Sequence, residues 1–155
     1  MGATYLKELQ DIVRKYRAET QIGLVTSREI AVWAIKNKLW SMGEAQIINR
    51  CADDLAKAMR EEYIIDPQGR KVRAKHAAKV PVNERQQTLW DDIRTADRKF
   101  MAIALQQRRR QIVGDCRQLK ADVDSYNQNY NPGDPIQMIF DFRLDVLETD
   151  AAAAA

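Results

Sequence analysis

The side chains with the clearest chemical potential in this sequence are cations. In residues 66–79 a turn signal, Asp66-Pro67-Gln68-Gly69, is followed by Lys71, Arg73 and Lys75 alternating with Val72, Ala74 and His76. Successive side chains of a β-strand point to opposite faces, so this spacing puts three cations on one face and smaller, less polar groups on the other. No acid falls between Pro67 and Asn83. Uncompensated cations attract phosphates, which makes Arg70, Lys71, Arg73, Lys75 and Lys79 candidate phosphate contacts. A second cluster, Arg108-Arg109-Arg110, either binds nucleic acid or pairs with the acids of the C-terminal stretch, Asp141, Asp145, Glu148 and Asp150.

Reactive constellations are scarce. The sequence has no Gly-rich phosphate loop, no His-Glu-x-x-His and no Gly-x-Ser-x-Gly. His76 is the single imidazole and reads as a hairpin-packing residue, a phosphate contact or a catalytic base. Cys51 and Cys116 fall in helical patterns among apolar neighbours and read as buried thiols. A Cys/His zinc site lacks ligands. The acid pairs Asp53/Asp54, Asp91/Asp92 and Asp122/Asp124 diverge if they lie on helices, because residues one or two apart do not share a face. The expectation is a non-enzymatic protein with no cofactor and no metal site.

Composition agrees with a binding role. The 155 residues are 45% hydrophobic and 30% charged, which suits one domain or two small ones with a real core. No run of about 18 apolar residues marks a membrane span, the first residues lack a signal-peptide pattern, and Leu6 stands where myristoylation wants Ser or Thr. The expected location is cytoplasmic. The net charge of +3 hides an asymmetry. Residues 68–82 carry five Lys/Arg and no acid, residues 85–120 carry nine against four acids, and residues 121–155 carry one against seven.

Helices must position these groups. Tyr5, Leu6, Leu9, Ile12, Val13 and Tyr16 form one apolar stripe and predict a helix over 4–19. Thr26-Ser-Arg-Glu29 fits a capping box and opens a helix over 27–39 that buries Ile30, Trp33, Ala34 and Leu39. Ser41-Met-Gly-Glu44 repeats the pattern before a helix over 42–61 with Ile47, Ile48, Cys51, Leu55, Ala58 and Met59 inside. The spacing predicts a hairpin over 63–76, with 70–76 as its returning strand. Pro81 and Asn83 mark a boundary, and Thr88–Ile93 predicts a helical turn or short helix. A long helix runs over 97–126, and Ile136, Met138, Phe140 and Phe142 alternate as in a strand. The alanines at 151–155 carry no functional information.

Three helices followed by a basic hairpin is the order found in winged helix-turn-helix domains, and residues 4–79 resemble that family in element order and charge placement. Ile22–Val25 would supply its first-strand stub. The expected fold is mainly α with a small β component: a winged-helix-like half over 1–80, then a helical assembly region with a C-terminal strand over 81–150. The resemblance implies DNA binding. The hairpin would dock on phosphates together with Ser27 and Arg28 at a helix N-terminus. Gln46, Asn49 and Arg50, on one stripe with Asp53, either read bases in the major groove or form a solvated face. RNA is not separated from DNA at this level. The rival expectation is an interaction or adaptor subunit that uses 97–142 to form a homo-oligomer or join a larger complex. Neither reading involves a membrane.

Overall fold

The structure, a computed structural model, describes residues 3–21 and 24–154. Ile22 and Gly23, half of the expected strand stub, lie outside the described residues. The chain parts into two compact units, Met1–Lys57 and Ala58–Ala155. Among the described residues the architecture is mainly α with a small β component, as expected.

In the first unit, α1 (Ala3–Thr20) packs on α2 (Ser27–Lys36). The apolar stripe of α1 delivers Tyr16, which is buried and meets Trp33 edge-on at 5.4 Å. Tyr5 accepts a 3.0 Å hydrogen bond from the Trp40 indole. The capping box at Thr26 forms: its hydroxyl accepts from the Glu29 amide, and the Glu29 carboxylate accepts from the Thr26 amide. The Thr26 amide and then its hydroxyl, which donates at 2.7 Å, favour the ionised Glu29 carboxylate and lower its pKa. The helix stops at Lys36 rather than 39. Lys38 turns to φ 54, and the Leu39 and Lys38 amides bond the Ala34 and Ile35 carbonyls, which closes a Schellman motif.

α3 (Glu44–Arg60) departs from expectation in two ways. Its first turn is satisfied by Gln46, whose Oε1 accepts from the Gly43 amide at 2.8 Å, so no Ser41–Glu44 capping box forms. Its apolar face is also uncovered: Ile47, Ile48 and Leu55 are 55%, 63% and 59% exposed, and Cys51 is exposed as well. The amphipathic pattern that makes the helix therefore does not bury it within its own unit. Periodicity specifies which residues share a face, but not what that face meets.

The second unit is built from two hairpins and a long helix. β1 (Tyr63–Ile65) pairs antiparallel with β2 (Lys71–Arg73), and β3 (Lys75–Val82) with β4 (Arg85–Asp92). The expected strand over 70–76 is thus two strands in two sheets. They part at Ala74, whose amide donates to the Glu62 carbonyl and whose carbonyl accepts from the Ile93 amide, both at 2.8 Å. Ala74 is 0% exposed. A methyl side chain lets the chain turn this corner where a larger one would collide.

The second hairpin overturns two further expectations. Residues 81–83 are no boundary: Pro81 pairs with Gln86 inside the ladder, and Asn83 and Glu84 form a two-residue turn. Both carry positive φ, 48° and 64°, as a type I′ connection requires. Residues 88–92 are strand rather than helix, in register with 75–79.

α4 (Arg98–Asn129) begins at Asp97, whose side chain accepts from the Phe100 amide. It packs on β3, and Ala78 and Ala104, 1% and 3% exposed, provide the small-residue surfaces for that contact. Beyond α4, Asn127 and Asn131 side chains bond the backbone at Ile136, Gly133 and Asp134 and fold residues 130–135 into a turn. The expected strand at 136–142 does not form. Of its alternating residues, Phe140 and Phe142 share a groove with Leu105, Ile112 and Cys116 of α4, while Ile136 and Met138 stay about half exposed. α5 (Arg143–Ala154) follows and takes in four of the terminal alanines, which have the highest helix propensity of any residue.

Candidate nucleic-acid interface

The two hairpins treat their cations differently. In the first, Asp66 organises the turn. Its carboxylate accepts from the Gln68 and Arg70 amides at 3.0 and 2.8 Å and from Arg70 Nε at 2.7 Å. The Arg70 amide leads in lowering the Asp66 pKa, ahead of the guanidinium. Gly69 at φ 82 completes the turn. Arg70 is therefore engaged, and Lys71 Nζ lies 4.8 Å from the Tyr63 ring centroid.

Lys75 is engaged as well. Its Nζ bonds Asp92 at 2.7 Å, in register across β3 and β4, with Glu62 at 3.9 Å. Asp92 also accepts a bidentate pair from Arg94, at 2.8 and 2.7 Å. The Arg94 guanidinium and then the Lys75 ammonium hold the Asp92 carboxyl far below the usual carboxylate range. Asp92 in turn raises Lys75. This clamp ties the start of β3 to the end of β4 and neutralises one expected phosphate contact.

Four other cations remain. Arg73, Lys79, Arg108 and Arg110 line one cleft of about 660 Å³ between the second hairpin and α4. Among the described residues none of the four stands in an ion pair. Gln107 holds the two walls together: its side-chain amide donates to the Lys79 carbonyl at 2.8 Å and accepts from the Lys79 amide at 2.7 Å. That clamp fixes the Lys79 backbone and leaves its ammonium to solvent. His76 lines the same cleft with Nε2 3.1 Å from the Arg73 carbonyl oxygen. Arg60, at the end of α3, adds a further cation and lies over the Trp90 ring at 5.5 Å.

The cleft thus joins Arg73, His76 and Lys79 to Arg108 and Arg110, which are distant in sequence. Sequence reading passed over Arg60, Trp90 and Gln107. No local signal marks them, since each matters only through the strand register and the seat of α4. Arg109 lines a different surface, the groove shared with Phe140 and Phe142. In the first unit, Ser27 and Arg28 open α2 and are exposed. Gln46 caps α3 through its side chain, Arg50 pairs with Asp54 at 3.2 Å, and Asn49 is exposed. No helix among the described residues is long and apolar enough to cross a membrane. Compared with protein-family models, curated proteins and solved structures, the chain matches none.

Proposed function

We propose that this protein binds DNA, docking the phosphate backbone in the cleft between the β3–β4 hairpin and α4. The observation that supports this reading is the convergence of Arg73, Lys79, Arg108 and Arg110 on one cleft without carboxylate partners. Like charges gathered on a fixed framework repel one another, and an anion relieves that repulsion. Guanidinium groups also match phosphate geometry through paired N–H donors. The cleft offers cations and few base-reading groups, so binding is chiefly electrostatic and tolerant of sequence.

Salt titration of binding to a short duplex tests this. Each phosphate contact contributes a log–log slope of roughly −0.9, so replacing all four cations by Ala flattens the slope by about 3.6. Duplex binding that is insensitive to salt, or unaffected by the fourfold change, would overturn the reading. The surface of 97–142 supports a second role in assembly. It carries an exposed apolar face, with Leu105, Ile112, Val113 and Leu119 each about half exposed.

A further inference from the structure

One apolar recess on the second unit is a groove of about 560 Å³, lined by Leu105, Ile112, Val113, Cys116, Phe140 and Phe142 together with Arg108 and Arg109. Among the described residues, neither arginine stands in an ion pair.

α5 has complementary chemistry and no cover of its own. Leu144 and Leu147 are 72% and 63% exposed, one helical turn apart on one stripe. Asp145 and Glu148 form the adjacent stripe, and neither is in an ion pair among the described residues. An apolar stripe edged with acid fits an apolar groove edged with arginine.

The groove of the same chain is out of reach for this helix. Phe142 lines the groove, and α5 starts at the next residue, with the Val146 amide already bonded to the Phe142 carbonyl at 3.0 Å. Asp141 accepts a bidentate pair from Arg143, which fixes the helix start. No loop separates helix from groove, so α5 cannot reverse over the Phe140–Phe142 segment.

We infer that two copies of this chain exchange their C-terminal helices, each α5 seating Leu144 and Leu147 in the partner's α4 groove and setting Asp145 and Glu148 against the partner's Arg108 and Arg109. The exchange is two-fold symmetric and therefore closes at a dimer. It shares Arg108 with the proposed DNA cleft, so mass measured without DNA reads it out separately from duplex binding.

Sedimentation velocity on the full chain at about 20 μM tests it, with circular dichroism to confirm helix content. The wild type sediments as a dimer. One variant, Arg108→Glu/Arg109→Glu, sets acid against acid, and a second, Asp145→Lys/Glu148→Lys, sets base against base. Each alone weakens dimerisation about 100-fold through like-charge contacts. Mixed one to one they form a heterodimer, because both exchanged contacts are again of opposite charge. A monomeric wild type, variants that each remain dimeric, or a mixture that stays monomeric would overturn the proposal. A wild type held monomeric with α5 folded on its own groove, or dimeric only with a foreign protein added, counts against it in the same way.

Discussion

The two hairpins of the second unit carry similar numbers of cations and spend them differently. In β1–β2, Arg70 is held by Asp66 and Lys71 lies over Tyr63, and only Arg73, at the end of β2, lines the cleft beside α4. In β3–β4, Lys75 is absorbed by Asp92, while Lys79 lines that cleft with Arg108 and Arg110. A stretch rich in Lys and Arg is thus not a uniform surface. What separates a structural cation from a binding one is whether the fold brings a carboxylate into register with it. The hairpin that looks like a basic wing in sequence has already been partly neutralised by its own turn.

Binding measurements break or sharpen that contrast most directly. Replacing Arg73, Lys79, Arg108 and Arg110 by Ala should weaken duplex affinity by at least about 100-fold at low salt, with the slope change given above. Replacing Arg70 and Lys71 should change it by less than about threefold, since exposed, already paired cations contribute little. Equal losses from both sets would erase the distinction between paired and unpaired cations. The Asp92 clamp gives the contrast a pH signature. Its carboxyl has a folded pKa below the unfolded value of about 3.9, so its contribution is complete above that value and is lost as pH falls through the folded one. Lys75 is raised, so its contribution is complete below about 10.4 and is lost only as pH rises through its folded value. Amide protection in β3 and β4 should therefore hold across neutral pH and fall in acid, below about 4. Asp92→Asn should lower it at neutral pH and remove the acid step. An unchanged acid profile in that variant would exclude the clamp.

The first four helices were legible because three- and four-residue spacing is a local signal, and they sit within a few residues of where it puts them, whereas α5 was not anticipated. The Asp66–Gly69 turn was legible for the same reason. β4 was not, because Arg85-Gln-Gln-Thr-Leu-Trp-Asp-Asp92 has no clean alternation and only one β-branched residue. The corner at Ala74 was invisible, since an alanine inside an alternating run looks like a strand position until its neighbours close around it. Residues 136–142 carried a true period-two pattern but pair with neither sheet. The cations of the candidate site were visible as residues. Their sorting into paired and unpaired depended on the Lys75–Asp92 register and on where α4 lies, and neither is encoded within a few residues.

Packing between β3 and α4 is the next handle on the comparison, because it shapes the cleft without supplying charge. Ala104 meets β3 with almost no free surface, so Ala104→Leu should force the helix away and destabilise the second unit by about 1–3 kcal/mol. Chemical denaturation followed by far-ultraviolet dichroism would show it. The same change should weaken duplex binding while Arg70→Ala does not, if the cleft rather than the first hairpin is the site. A variant that is as stable as wild type would mean that the helix does not seat on the strand through this residue.

The smallest expected effect concerns the turn that orients the second hairpin. Asn83 and Glu84 both adopt positive φ. Asn tolerates that region, but Glu has a Cβ that crowds the carbonyl, at a cost of about 1–2 kcal/mol. Glycine lacks the Cβ and gives the Asn-Gly pair favoured in type I′ turns. It also loses more chain entropy on folding, which offsets part of the relief. Glu84→Gly should therefore stabilise the hairpin by about 0.5–1 kcal/mol net. Gly69→Ala makes the converse change at φ 82 in the first hairpin and should destabilise it by a similar amount. Thermal melts of the two variants should move in opposite directions, and duplex affinity should stay nearly constant in both, because neither alters a cation. If Glu84→Gly lowers the melting temperature, the turn is not type I′, and the register that sets Lys75 against Asp92 loses its support.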